Sequence, residues 1–106
     1  MALTIDARER HLLEVLRCRG VPHEVQTLLV GDVICKYENG TEWIAERKRN
    51  DDFATSIMSG RWKEQCCRLC EPGRPIVIII EGDLRKTKLP GDSLLGAMVD
   101  AEVRMN

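Results

Sequence analysis

A mixed α/β domain, a sheet with flanking helices, is predicted by three features of the sequence. An Asn39-Gly40 dipeptide sits between two alternating runs, a β-branched run spans Ile76 to Ile80, and segments with helical periodicity lie between and after them. In chain order, ALTID (2–6) is a short apolar run ending in a carboxylate and is predicted as a strand. ARERHLLEVLRCRG (7–20) puts Leu12, Leu13, Val15 and Leu16 at helical spacing before a stop at Gly20. After Val21-Pro22, HEVQTLL is a weak strand.

Asn-Gly between two alternating runs is a strong hairpin signal, so strands are predicted at 31–37 and 41–48. Asn50, Asp51 and Asp52 are helix-capping types ahead of FATSIM, and Gly60 marks a break before RWKEQCCRLC resumes as helix. PIVIIIEG (75–82) has no alternation, which predicts a strand in the middle of the sheet with both faces covered. LRKTKLPGD is a polar loop, and SLLGAMVDAEVRM (93–105) is a last helix capped by Asp92 or Ser93.

The chain has 106 residues, one domain's worth, with no internal repeat and no linker-like tract. Charged residues make up 31% and hydrophobic ones 43%, a composition that excludes disorder and a coiled coil. The longest apolar runs fall far short of the roughly 20 residues of a membrane-crossing helix, and the charged start MALTIDARER does not resemble a secretory leader. No membrane association is expected. A net charge of −1 means that bulk electrostatics cannot drive binding to nucleic acid, so any phosphate affinity must be local. Five cysteines, three of them inside one predicted helix, point to a reducing compartment.

The segment from Gly31-Asp32 to Glu46-Arg47-Lys48 carries the chemistry. Alternate strand residues face the same way, so Glu46 and Lys48 share a surface and Arg47 points to the opposite one. Asp32 opens the neighbouring strand at the end away from the Asn39-Gly40 turn, where Glu46 and Lys48 also lie. Hairpin register therefore gathers Asp32, Glu46 and Lys48. Two carboxylates can hold Mg²⁺ with waters in its remaining positions, an arrangement suited to phosphodiester hydrolysis. Lys48 can orient water or offset developing charge. The Arg47 carbonyl is a candidate further ligand, and Asp6 and Glu9 are candidates for additional carboxylate oxygens. A solvated Glu46–Lys48 pair is the competing reading of this spacing.

The same residues resemble the nuclease domain of the XPF-type structure-specific endonucleases, which include the crossover-junction endonucleases and the archaeal Hef nucleases. The family motif, GD, a variable hairpin and ERKxxxD, stands here as Gly31-Asp32, Glu46-Arg47-Lys48 and Asp52. SIMSGRWKEQCCRL (56–69) resembles the helical segment that follows it, IDARE (5–9) the opening strand and IIIEGDL (78–84) the central strand and its exit. Together these span about residues 3 to 105.

The resemblance implies a restriction-endonuclease-like fold and metal-dependent incision of branched DNA (flaps, forks and junctions) in repair and recombination. It implies Asp32 and Glu46 as metal ligands, Lys48 as catalytic lysine, Asp6 and Glu9 completing the acidic site, and Arg47 and Asp52 supporting it. Mg²⁺ is the expected cofactor, with Mn²⁺ as its substitute. Capping of the following helix is an alternative use of Asp52. Arg49, Arg61, Gln65 and Arg68 are candidate DNA contacts. The resemblance further implies a homo- or heterodimer with a family-related subunit, and a nuclear location, or a cytoplasmic one if the source is not eukaryotic.

Residues 1–106 are expected to be a single nuclease domain, shortened at its C-terminus and without the helix-hairpin-helix module that usually accompanies it. An alternative is a non-catalytic scaffold subunit that binds a partner and DNA, although such subunits have lost the acidic and lysine positions retained here. A zinc or redox module on Cys67 and Cys70 is a further alternative, disfavoured because no second CxxC or HxxxH exists to complete four ligands. Trp43 and Trp62 read as core residues, with base stacking as their other use.

Overall fold

A computed structural model of the chain describes residues 1–105, with the side chains of residue 84 and of 103–105 left out. Its elements run β1 (Ala2–Asp6), α1 (Arg10–Cys18), β2 (Glu24–Gln26), β3 (Val33–Lys36), β4 (Glu42–Arg49), α2 (Asn50–Met58), α3 (Arg61–Cys70), β5 (Ile76–Glu81), a 3-10 turn at Leu84–Lys86, and α4 (Gly91–Met105). The five strands form one sheet in the order β2-β1-β3-β4-β5. β1 runs parallel to β2, β3 is antiparallel to both β1 and β4, and β5 is parallel to β4. The sheet is mixed, as expected for a restriction-endonuclease-like α/β fold.

The β3–β4 hairpin turns at Asn39-Gly40. Gly40 has a φ of 87°, the Tyr37 amide donates to the Thr41 carbonyl, and the Asn39 side chain accepts from the Thr41 amide. Leu12, Leu13 and Leu16 of α1 cover one face of the sheet, packing on Ile5, Val33 and Ala45. On the other face, Ile44 and Ile76 meet Leu69 of α3. Phe53, Trp62 and Leu94 join α2, α3 and α4 in a second cluster that takes in Ile78 and Ile80. Trp62 is buried there, edge-on to Phe53 with ring centroids 4.8 Å apart, so it is a core residue. Trp43 packs against the α1 cluster and donates its indole N–H to the Tyr37 hydroxyl.

Four expectations need correction. β5 is not the middle of the sheet. It pairs with β4 alone and forms an edge of the described sheet. Ile76, Ile78 and Ile80 face the helices, whereas Val77 and Ile79 are 42% and 40% exposed because the α1 leucines reach only as far as β4. An unbroken apolar run does not encode which edges of a strand are paired.

Helix α1 starts at Arg10 and not at residue 7. The Asp6 amide donates to the Asp32 carbonyl and the Ala7 amide to Gln26, which holds the chain in the sheet before a turn at Glu9 releases it. Nor do Asn50, Asp51 and Asp52 cap α2. They lie inside its first turn, the capping position is Arg49, and β4 runs straight into the helix without a loop. In the same way α4 begins at Gly91, ahead of the expected Asp92 or Ser93 cap. The Pro90 carbonyl accepts from the Ser93 and Leu94 amides there.

Candidate active site

Strand ends build the site. Asp32 precedes β3, with its amide bonded to the Ala45 carbonyl of β4, and its carboxylate accepts the Arg47 backbone N–H at 2.8 Å. This bond sets Asp32 across from the β4 residues Glu46 to Lys48. Gly31 makes the approach feasible. Its φ is +76°, and a Cβ there would stand 2.5 Å from the Ile44 side chain.

Alternation along β4 then sends Glu46 and Lys48 to the α3 side. The Lys48 ammonium lies 3.8 Å from the Glu46 carboxylate, and the two side chains are only 12% and 18% exposed. Arg47 leaves by the other face and is bonded to Glu9 and Glu81. The clustering of Asp32, Glu46 and Lys48 anticipated from hairpin register is therefore present.

Asp6, Glu9, Asp32 and Glu46 line one cavity, together with Arg8, Leu29, Gln65 and Arg68. Adjoining it is a predominantly cationic groove whose walls include Arg10, His11, Arg47, Lys48, Arg49 and Arg61, with Asp52 and Glu81 among them. Arg8, Glu9 and Gln65 are common to both.

The sequence-selected residues are thus divided between the two. The carboxylates gather with Arg68, whereas Arg49, Lys48, Asp52 and Arg61 face the groove. Sequence reasoning missed Arg8, Arg10, His11 and Glu81. The position of Arg8 two residues after a strand-end aspartate was a usable signal for one of them. His11 joins the groove wall only through the placement of α1 beside β4, which no local sequence pattern carries.

The electrostatics of the cavity are unbalanced. Burial pushes the Glu46 carboxyl up to about 7, helped by the Asp32 and Glu9 charges and opposed by Lys48 and Arg68. Glu9 is also raised, first by burial and next by Asp32, with Arg47 opposing. Asp6 goes the opposite way. Burial works against its charge, but the Arg8 guanidinium and the Leu28 amide bond to the carboxylate and hold it below the usual carboxylate range. Both Asp6 oxygens are engaged, Oδ1 by Leu28 N at 2.9 Å and Oδ2 by Arg8 Nε at 2.8 Å. Asp6 therefore ties the 27–31 loop to β1.

Among the described residues no three His, Cys, Asp or Glu side chains stand in a ready metal cage. An all-oxygen pair of mutually repelling carboxylates nonetheless fits a hard divalent cation that keeps several waters. Such an ion would relieve the repulsion that raises Glu46.

The ERCC4 domain family model matches residues 5–106. The chain is 35% identical over 111 aligned positions to rat "Structure-specific endonuclease subunit MUS81", an alignment covering 91% of this chain and 20% of the relative. Against Arabidopsis thaliana "Crossover junction endonuclease MUS81" it is 34% identical over 99 positions, covering 76% of this chain and 15% of the relative. The chain thus spans about a fifth or less of the length of these curated relatives. Among solved structures, XPF from Aeropyrum pernix in complex with DNA superposes with a TM-score of 0.81 at 30% identity, covering 98% of this chain and 52% of that one. The GD and ERKxxxD residues fall within the matched segment, at the sheet end where Asp32, Glu46 and Lys48 meet, and the chain belongs to the ERCC4 domain family.

Proposed function

We propose that the chain is the catalytic nuclease domain of a structure-specific DNA endonuclease that hydrolyses a phosphodiester in branched DNA (flaps, forks or junctions) during repair and recombination. The observation that carries this reading is the pairing of a desolvated carboxylate cavity with a cationic groove, with Lys48 beside Glu46 where the two adjoin. In this reading Asp32 and Glu46 hold Mg²⁺, or Mn²⁺ in its place, with Glu9 as a further carboxylate. When bound, the cation polarises the phosphate and acidifies a bound water.

The chain's own groups do the rest. Lys48 offsets charge that develops on the phosphate. Arg49 and Arg61 in the groove, with Arg68 at the cavity, hold neighbouring phosphates. Arg47 fixes Glu9 against the sheet, and the Asp52 carboxylate offsets the mutual repulsion of the groove's cations. Asp6 shapes the cavity through the loop that it ties down. A family-related subunit as partner, in a homo- or heterodimer, and a nuclear location belong to the same reading.

The test is strand nicking of a flap, a fork and a linear duplex with Mg²⁺, with Mn²⁺ and with chelator, beside Glu46→Ala. Branched substrates should be cut only with the cation, and the variant should lose roughly 10³-fold or more. Native protein and variant behaving alike would overturn the catalytic reading and leave a scaffold subunit.

A further inference from the structure

Gln65 stands where the carboxylate cavity and the cationic groove meet, and is the one α3 residue that lines both. Its side-chain Oε1 is buried and has no hydrogen-bond partner among the described residues. A desolvated carbonyl oxygen left unmatched is costly, and native proteins retain very few. Donors line the same spaces, yet none is bonded to it: Arg8 is held by Asp6 and the Leu28 carbonyl, Arg47 by Glu9 and Glu81, Arg61 by Ser59, and the Lys48 ammonium lies against Glu46.

The polarity of the orphan selects what can fill the gap. Phosphate oxygens are acceptors and cannot satisfy a carbonyl, so this atom is not built to hold the DNA backbone. It requires a small donor that can enter where cavity and groove meet, and water is such a donor.

We propose that Gln65 is a positioning residue whose Oε1 accepts a hydrogen bond from the attacking water and holds it between the Glu46 carboxylate and the Lys48 ammonium. This rests on the nuclease reading above. The water oxygen forms a bond to phosphorus as one phosphorus–oxygen bond to a sugar breaks. One water proton is lost to bulk water through the groove, and the departing sugar oxygen takes a proton from bulk water. Gln65 neither gains nor loses a proton; it restricts the direction from which the water arrives.

Gln65→Met keeps the length of the side chain and removes the acceptor, whereas Gln65→Glu retains one. For Gln65→Met, kcat on a flap substrate should fall about 10- to 100-fold, with KM, and the Kd for the same flap in chelator, changed less than about 2-fold. Its melting temperature should hold or rise, since an unmatched buried acceptor has been removed. Gln65→Glu should recover most of kcat.

A rise in KM and Kd at constant kcat would instead make Gln65 a DNA contact and overturn the proposal. So would unchanged kinetics in Gln65→Met, or a fall in melting temperature that tracks the loss of kcat. These outcomes are read against an active native protein. If the native protein and Glu46→Ala are equally inactive, it is the nuclease reading that fails.

Discussion

Asp6 and Glu46 are two carboxylates in one cavity, and their surroundings push them in opposite directions. Asp6 is 2% exposed, yet its carboxyl lies below the usual range whereas Glu46 rises to about 7. Burial disfavours charge in both. Burial is the first cause of the Glu46 rise, and partners complete the difference: Asp6 accepts from an amide and a guanidinium, whereas Glu46 faces Asp32 and Glu9 with Lys48 and Arg68 to offset them. A satisfied buried carboxylate is part of the scaffold. An unsatisfied one stores repulsion that a bound cation can relieve.

The strongest way to break this contrast is Asp6→Ala. It orphans the Leu28 amide and frees the loop, and should cost about 2–4 kcal/mol of unfolding free energy at neutral pH, read by urea denaturation. Because the Asp6 carboxyl is lowered from 3.8, its stabilisation is present above the ordinary carboxylate range and is lost as pH falls through and below it. A cost that persists undiminished at pH 2 would refute the assignment.

Glu46→Gln should have the opposite sign and a somewhat smaller size. With the folded value near 7 against 4.5 in the unfolded chain, the native state binds the extra proton, so the native protein loses stability as pH rises from about 4.5 to 7. The variant should therefore be more stable by on the order of 2 kcal/mol at pH 8 and equal at pH 4. Millimolar Mg²⁺ should narrow the gap at pH 8. The same increment at both pH values would show that the effect is not electrostatic.

The mildest test is Arg8→Ala. Arg8 is largely exposed, so its ion pair is screened, and its loss should barely move the urea midpoint while raising the pH at which Asp6 titrates, read by NMR. An unmoved Asp6 titration would transfer its stabilisation to Leu28 alone.

How much of this was legible in the sequence varies from residue to residue. Glu46 and Lys48 on one face, with Arg47 on the other, follow from strand alternation, and Asp32 joins them through the register that Asn39-Gly40 imposes. All of that is local. By contrast, the Asp6 carboxylate had the residue type of a metal ligand and the surroundings of a tie, because Leu28 lies 22 residues away and is delivered by β1–β2 pairing. The same pairing shortened α1 at its start.

The sequence by itself determined the order and kind of the elements, the hairpin and its turn, and the motif that places this chain in its family. These depend on periodicity and on the backbone preferences of a few residues, which act over short range. Tertiary structure alone decided that β5 lies at an edge and that Asp6 is satisfied while Glu46 is not. It also set Gln65 between an acidic cavity and a basic groove. Each of these depends on which distant groups arrive beside a side chain and how much water they exclude, and neither quantity is carried by the residue or its neighbours in the chain.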